Sequence, residues 1–473
     1  MRFKQLMLIP ASLLFTLQFS LFSQEIGTDS EQTIDTASIQ AENPTTPVFR
    51  FGLGIGAVNL IDEEGNNKIY NSIRLNPDLA IGKFGIGLDI DFRFTLDGDS
   101  GTTEFKVYEP DWYLPGASFK EYFNLYLSKF DYIRWGQSGD DLFAKIGSIE
   151  SATIGNGFIL GGYTNENFKP QRKYTGFRFE LDTALFNWPY MGIELFASNI
   201  SELDLMAARY YVKPLGGIQS PVFSGLEIGI NFAVDRNPFF FVEDLYSTLP
   251  EFDPVIVYGV DIMQPLLDIK IFTMALYGDY VLQGTSSPTM GGSTGLGGSL
   301  IKIISWNMGI IIRGNDFVPT YFNRTYDLDR LTKYRLYDNN HRVPLQEKGI
   351  DYKASLGFNF LDGGISFVAQ VNGPFASPVL KDPVFAPWEY PHIMALFTIG
   401  EGIIPYFDMS FWYDKQGIDS ASALISADNA LIGGRLNYRI QSAVVSLQVD
   451  VKYDPGLPDD WQVTTKLETG IQF

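Results

Sequence analysis

The chain has 473 residues, a formal net charge of −20 at pH 7 and no cysteine. Its acidity argues against a nucleic-acid-binding protein, which needs a basic surface. The lack of cysteine excludes disulfides, thiolate metal sites and a lipid-modified N-terminal cysteine.

The N-terminus has the pattern of an export signal. Arg2 and Lys4 precede an apolar run from residue 6 to residue 22, which predicts a signal peptide over residues 1–23. A membrane-anchoring helix is the alternative, although the run is short and contains several polar residues. Residues 24–47 are rich in Thr, Ser, Gln and acidic side chains, so they predict a disordered tail. No later stretch provides the ~20 consecutive apolar residues of a helical membrane span.

From residue 48 onward, apolar and polar residues alternate in short runs. Examples are residues 48–56, 84–95, 175–182 and 226–235. A period of two predicts β-strands with one apolar and one polar face. Aromatic residues make up 15% of the chain, yet the mean hydropathy is zero. Such a balance suits strands that face lipid on one side and water on the other.

The C-terminal stretch carries this pattern most clearly. Residues 445–453 alternate, residues 454–456 form a predicted turn, and residues 463–473 alternate again, with Phe473 in phase with the apolar face. This stretch resembles the closing strand of bacterial outer-membrane β-barrels. The resemblance implies an outer-membrane location and a role for Phe473 as the signal read by the barrel-assembly machinery.

The number of alternating runs predicts the architecture. About twenty runs have the 9–11 residues that a tilted strand needs to cross a bilayer. Nearly all long gaps follow odd-numbered runs and all short gaps follow even-numbered ones, as expected for long outer loops and short periplasmic turns. We therefore expect an all-β fold, a transmembrane antiparallel β-barrel over residues 48–473. Eighteen strands remain an alternative if residues 118–149 contain fewer strands, and a soluble sandwich is the other alternative.

Charged residues on the polar faces are candidate pore-lining groups. A Lys or Arg on the lipid face would cost about 2–4 kcal/mol at the bilayer midplane, so these side chains should point into the lumen. Mutual pairing that only stiffens the wall is the alternative. The predicted pore-lining residues are Asp89, Asp91, Arg93, Arg178, Glu180, Asp182, Glu194, Arg209, Glu227, Asp261, Arg435, Arg439, Asp450 and Lys452.

A barrel of this size is too wide for its own side chains to fill. The gap at residues 315–350 is the longest and carries six basic residues against five acidic ones, so we expect it to enter the mouth and pair with acids of the wall. The gap at residues 150–172 is the second candidate. Both could instead be mobile surface loops.

The sequence offers little for catalysis or for cofactor binding. Residues 291–298 are rich in glycine but lack the lysine of a phosphate-binding loop, so a flexible loop entering a strand is the better interpretation. The two histidines are His341, in the long loop near acids, and His392, at a predicted strand start. Neither reproduces the sites of barrel proteases or barrel phospholipases. No enzyme activity, cofactor or metal is therefore predicted.

These patterns favour a porin-like channel that passes small solutes by diffusion. One alternative is a surface-interaction barrel, adhesin-like or structural, with a closed lumen. Another is a barrel hydrolase that uses His341. The predicted partners are the lipid bilayer, the barrel-assembly machinery and small solutes, and the oligomeric state stays open.

Overall fold

A computed structural model describes residues 47–61, 67–97, 104–168, 173–241, 252–285, 287–338, 345–361, 364–378, 387–426, 428–441, 443–453 and 461–472. The predicted signal peptide, residues 24–46 of the predicted tail, His341 and Phe473 lie outside the described residues. The predictions made for them stay predictions.

Within these described residues, twenty-two strands form a single sheet in which all neighbours are antiparallel. The strands are β1 (Val48–Ile61), β2 (Asn67–Ile81), β3 (Phe84–Leu88), β4 (Ile90–Asp97), β5 (Glu104–Val107), β6 (Phe130–Trp135), β7 (Leu142–Gly147), β8 (Gly176–Asp182), β9 (Met191–Ala197), β10 (Leu205–Val212), β11 (Glu227–Asp235), β12 (Val255–Ile269), β13 (Phe272–Gln283), β14 (Thr289–Leu300), β15 (Ile304–Arg313), β16 (Gly349–Phe360), β17 (Ile365–Pro374), β18 (His392–Ile404), β19 (Phe407–Lys415), β20 (Ala430–Ile440), β21 (Ala443–Tyr453) and β22 (Trp461–Gln472).

The sheet closes on itself. β1 pairs with β22 from Gly52 opposite Gln472 to Ala57 opposite Leu467. β3 and β4 share one position in the ring, and β6 and β5 share the next, because β6 pairs with β3 while β5 pairs with β4. The ring therefore has twenty positions, which confirms the predicted barrel of about twenty strands. The alternative of a two-layered sandwich is wrong.

The two faces of the wall differ as the alternation predicts. Along β11, the side chains of Ile228, Ile230 and Phe232 are 40%, 62% and 45% exposed, whereas Asn231 and Ala233 are buried. Residues that lie opposite each other on paired strands point to the same face of the sheet. The strand pairing therefore extends the arrangement seen in β11, with exposed apolar side chains outside and buried ones inside, around the ring. An outer surface covered with exposed apolar side chains is the architecture of a transmembrane β-barrel.

The connections sort by length between the two ends, as predicted. At one end, here called the long-loop end, they span residues 62–66, 98–103, 148–175, 198–204, 236–254, 284–288, 314–348, 375–391, 416–429 and 454–460. At the other, the short-turn end, they span residues 82–83, 136–141, 183–190, 213–226, 270–271, 301–303, 361–364, 405–406 and 441–442. The two longer connections at the short-turn end are 183–190, which contains the 3₁₀ helix Thr183–Phe186, and 213–226, which contains the short helix α2 (Pro221–Ser224).

The structure departs from expectation near the fourth position of the ring. Residues 97–127 contain no alternating run of the length that predicts a membrane strand, yet they contain β5 and the helix α1, Phe119–Leu127. A capping box between Ser118 and Glu121 begins α1, and this local sequence signal stabilises an isolated helix. The insertion therefore interrupts one strand of the wall between β5 and β6.

A third helix, α3 (Tyr326–Asp338), lies in the connection between β15 and β16. Short 3₁₀ helices cover Glu109–Asp111, Thr183–Phe186, Pro387–Glu389 and Ala423–Ile425. Across the part of the chain that the structure describes, none of the helices is both long and apolar enough to span a bilayer.

Candidate functional site: the barrel lumen

Two connections from the long-loop end meet each other inside the ring. They are residues 148–165, here called the inner loop, and residues 314–338, here called the plug segment, which contains α3. The Gly161 N–H donates to the Phe322 carbonyl at 3.1 Å, and the Phe322 N–H donates to the Ile159 carbonyl at 3.0 Å. The two segments are therefore one folded unit, and for their described parts the alternative of mobile surface loops is wrong.

The tip of the inner loop lies against lumen-facing side chains of the wall. The Gly155 N–H donates to Glu194 at 3.1 Å, and the Asn156 amide donates to Asp279 at 3.2 Å. Gly155 has a φ of +56°, and a Cβ there would lie 2.9 Å from the Arg209 Nε. Only glycine fits such a conformation and such a close approach, so the tip requires it.

The folded unit shares an apolar core with the inward face of the wall. Leu160, Phe317 and Tyr321 are fully buried, and so are Val255 and Val257 of β12. Apolar inward residues at this end of β9 to β15 thus contact protein rather than water. Their burial holds the plug segment and the inner loop in place.

An arginine of α3 fixes the plug segment to the wall. Arg330 is 3% exposed, and its guanidinium lies 2.5 Å from Asp235, the last residue of β11, and 2.9 Å from Asp204, just before β10. The Tyr326 hydroxyl also donates to Asp235, at 2.5 Å. This confirms the expectation that the long loop pairs with acids of the wall.

Two further ionisable side chains of α3 are buried beside this pair. The Tyr163 hydroxyl donates to both carboxylate oxygens of Asp327, at 3.1 and 2.9 Å. Burial, together with the negative charge of Asp204, raises the pKa of Asp327 to about 7 even though the charge of Arg330 lowers it. Lys333 donates to the Tyr321 carbonyl at 2.8 Å, and burial lowers the pKa of its ammonium to about 8.

We expect Arg330→Met to detach the plug segment. The substitution leaves Asp204 and Asp235 buried without their cation, a change that costs about 3–5 kcal/mol. Limited proteolysis of the purified protein in detergent should then cleave the plug segment much faster than in the unchanged chain. Arg335→Met, on the exposed face of the same helix, is the matched control and should leave the rate unchanged. Equal rates for both variants would contradict the role of Arg330.

Next to the tip of the inner loop, Arg209 of β10 forms ion pairs with three carboxylates of neighbouring strands. Its guanidinium lies 2.6 Å from Glu194, 2.7 Å from Glu227 and 2.6 Å from Asp261. The Asn231 amide also donates to Asp261, at 2.6 Å. One cation thus bridges β9, β11 and β12, and this part of the lumen keeps an excess of negative charge.

The predicted residues of the first strands are paired as well. Asp89 lies 2.9 Å from Arg74 and 2.6 Å from Lys173. Asp91 accepts a hydrogen bond from the Ser72 hydroxyl. Arg93 donates to Asp111 of the insertion, from Nε at 2.7 Å, so an acid outside the strands completes this pair.

The remaining predicted lumen residues whose side chains are described also have polar partners. Those pairs are Arg178 with Glu180 at 2.7 Å, Asp182 with Lys213 at 2.6 Å, Arg435 and Asp450 with Gln448 at 2.9 and 2.7 Å, and Arg439 with Asp408. The side chain of Lys452 lies outside the described residues. Such pairing fits a wet lumen and a stiffened wall equally well, so the pore-lining role stays a prediction.

Several residues of these clusters were not among the predicted ones. Arg74 alternates with Ile73 and Leu75, so the same periodicity identifies it as a lumen residue. Asp111, Asp204 and Asp235 lie in the insertion or at strand ends, where the alternation stops. No spacing in the sequence assigns their partners.

A small recess lies next to the inner loop. Its volume is about 20 Å³, room for about one water molecule, and it is lined by Asn156, Tyr277, Asn307, Lys353, Ala354, Ser355 and Gln370. Further round the wall, Arg439 and Arg74 are 22% and 17% exposed, against 4% for Arg209. Polar side chains of β2 and β16 to β21 thus keep contact with solvent where the folded unit does not cover them.

The other candidate motifs have structural explanations. The glycine-rich run 291–298 lies within β14, so the predicted flexible loop is wrong. The position of a Cβ on Gly291 is taken by the Phe317 ring, 2.3 Å away. The run thus makes room for the plug segment rather than for a phosphate. His392 begins β18 as predicted and pairs with Asp414 at 2.7 Å.

No protein-family model matches the chain, and no curated protein matches it either. Among solved structures, it is similar to OpdQ from Pseudomonas aeruginosa, with 10% identity, a TM-score of 0.34 and coverage of 92% of this chain and 99% of the other. OccAB4 from Acinetobacter baumannii has 10% identity, a TM-score of 0.31 and coverage of 92% and 100%. For the outer-membrane protein OpdK from P. aeruginosa, the identity is 9% and the TM-score is 0.31, with coverage of 90% of this chain and 99% of the other.

Proposed function

We propose that the chain is a porin-like channel of the bacterial outer membrane through which small hydrophilic or weakly apolar solutes diffuse. The observation that carries the proposal is a closed ring of twenty positions, apolar outside and lined inside with charged and amide side chains. Barrels of 16–18 strands already leave an aqueous passage, so a ring of this size needs additional chain to narrow it. The inner loop and the plug segment provide that chain.

The solute path runs between this folded unit and the wall that it leaves uncovered. There, Lys353 and Gln370 line the recess, and Arg435, Gln448 and Asp450 lie on the more distant strands β20 and β21. Charges of both signs select solutes by electrostatic attraction and repulsion, and no residue performs a reaction. The predicted pore-lining residues act in this way under the proposal.

Insertion is expected to depend on the barrel-assembly machinery, with Phe473 as the recognised residue. The barrel-hydrolase alternative stays a prediction. Its histidine, His341, lies outside the described residues, and the described hydrogen bonds of His392 are confined to Asp414.

A closed barrel that binds a partner through its long loops is the second candidate. The apolar core shared by Phe317, Tyr321 and Phe322 with the wall favours it, because this core obstructs one side of the long-loop end. Both candidates share the same fold and differ only in whether ions pass.

We expect purified full-length protein to produce stepwise current increases in a planar lipid bilayer in potassium chloride. A water-filled path through the lumen conducts ions, whereas a sealed lumen does not. Detergent without protein is the control for leaks. If the protein inserts, as judged by protection of its strands from protease, and still gives no steps, the closed-barrel candidate replaces the channel.

A further inference from the structure

Four neighbouring positions of the ring contain short strands, β6 to β9. β6 and β7 have 6 residues each, and β8 and β9 have 7 each, whereas β12 has 15. Six residues rise about 20 Å along a strand, or about 14 Å across a bilayer at a 45° tilt, against an apolar band of ≈ 25 Å. β7, β8 and β9 therefore leave about 9–11 Å of the band without a strand. At the position of β6, the insertion separates β6 from β5.

The insertion that contains α1 leaves the wall beside these strands. Its Asp111 accepts a hydrogen bond from Arg93, which points inward, but the next residue, Trp112, lies on the outer face. The Trp112 ring packs 4.5 Å from the ring of Phe92, a side chain that points outward because its neighbours Asp91 and Arg93 point inward. From there the chain runs to the long-loop end. Lys120 pairs with Glu202 at 2.5 Å, and the Ser201 hydroxyl donates to Asn124 at 3.4 Å. These contacts fix α1 against the connection between β9 and β10.

A second face of α1 is apolar and largely exposed, although the Tyr126 hydroxyl donates to the Trp112 carbonyl. Phe119, Phe123 and Tyr126 lie at spacing i, i+4 and i+7, which places them on one side of the helix. They are 85%, 48% and 52% exposed. A helix with its side chains is about 10–12 Å wide, close to the height that the short strands lack.

At the short-turn end of the same strands, short helical connections also expose apolar side chains. The 3₁₀ helix Thr183–Phe186 connects β8 to β9, and Leu185, Phe186 and Trp188 are 44%, 65% and 51% exposed. In the next connection, Phe223 of α2 is 55% exposed. Exposed aromatic and apolar residues thus extend the outer surface beyond both ends of the short strands.

We propose that α1 lies in the bilayer interface and completes the apolar belt of the barrel where β6 to β9 are too short, with lipid as the partner of its Phe119, Phe123 and Tyr126 face. The 183–188 connection does the same at the short-turn end. Continuity with the exposed apolar surface of the wall, together with the missing height, identifies lipid rather than another protein. The inference rests on the membrane placement in the proposed function, but not on conduction.

Because the chain has no cysteine, single nitroxide labels can test this without background. Labels are attached to Phe119→Cys and Phe123→Cys in the full chain reconstituted in phosphatidylcholine vesicles. Phe232→Cys on the outer face of β11 is the lipid-facing control, and Ser422→Cys in an exposed connection is the water-facing control. Collision with oxygen and with a water-soluble nickel chelate is then measured for each label.

We expect the oxygen-to-nickel accessibility ratios at 119 and 123 to lie within about twofold of the ratio at 232, since an interfacial helix buries its apolar face in the acyl boundary. Ratios equal to that at 422 would place the face in water and overturn the inference. Low access of both reagents would mean a second copy or another protein covers it, and would also overturn it. A nickel-accessible label at 232 would instead refute the membrane placement itself.

Discussion

Replacing residues 320–342 by a short Gly-Ser linker should raise the single-channel conductance several-fold. The deletion removes α3 together with Tyr321 and Phe322, and with them most of the plug side of the apolar core. A barrel of twenty positions is too wide for its wall side chains to fill, so water should replace the deleted residues. Conductance rises with the cross-section of the water-filled path, and planar-bilayer recording measures it directly.

The control is an equally drastic change in a connection that stays outside the lumen. Residues 419–425 follow β19 and are mostly exposed, so their replacement by the same linker should leave the conductance unchanged. Both variants must first be shown to fold and insert, for example by protease protection of the strands. Equal conductance in the deletion variant and the unchanged chain would show that the plug segment does not narrow the passage.

Strand positions were predictable because each strand meets two solvents. β11 illustrates this: every second residue from Ile228 to Phe232 contacts the outside, so lipid and lumen impose the period of two on the sequence itself. The sorting of connection lengths adds an independent constraint on the number of strands, because the two ends of a barrel face different compartments. The alternation and the sorting of connection lengths were enough to predict about twenty strands around the barrel.

Contacts made by the connections could not be predicted in the same way. The partners Asp204, Asp235 and Arg330 come from three separate connections or strand ends, and nothing periodic relates them. The composition of residues 315–350 indicated that the segment would meet acids, but not which ones. Since side-chain pairing depends on the final fold, only the structure identifies it.

The insertion around α1 was missed for a related reason. A strand broken in its middle leaves two short runs, here Glu104–Val107 and Phe130–Trp135, and neither has the length that identifies a membrane strand. The capping box at Ser118 and Glu121 was the available signal for a helix in this gap. It gives no information on whether that helix lies inside or outside the wall.

We expect the docked plug segment to be more stable at low pH than at high pH, because Asp327 of α3 is buried. Burial raises the pKa of this carboxyl from 3.8 to about 7, so the docked state favours the protonated acid. Ionisation of Asp327 therefore makes the free energy of docking less favourable. This effect is absent below about pH 4, grows as the pH rises and is complete above about pH 7, where it is of the order of 4 kcal/mol. Lys333, with a pKa of about 8, stays charged through most of this window.

Asp327→Asn mimics the protonated acid and should therefore abolish most of this pH dependence. Hydrogen exchange of the α3 amides between pH 5 and 8, corrected for the intrinsic rate, measures docking of the plug segment. Protection in the unchanged chain should fall with rising pH, whereas the variant should keep its protection at pH 8. Asp338→Asn, at the exposed end of α3, is the matched control and should retain the full pH dependence. If Asp327→Asn and the unchanged chain lose protection in parallel, the charge of Asp327 does not control docking, and the passage is not regulated by pH through this helix.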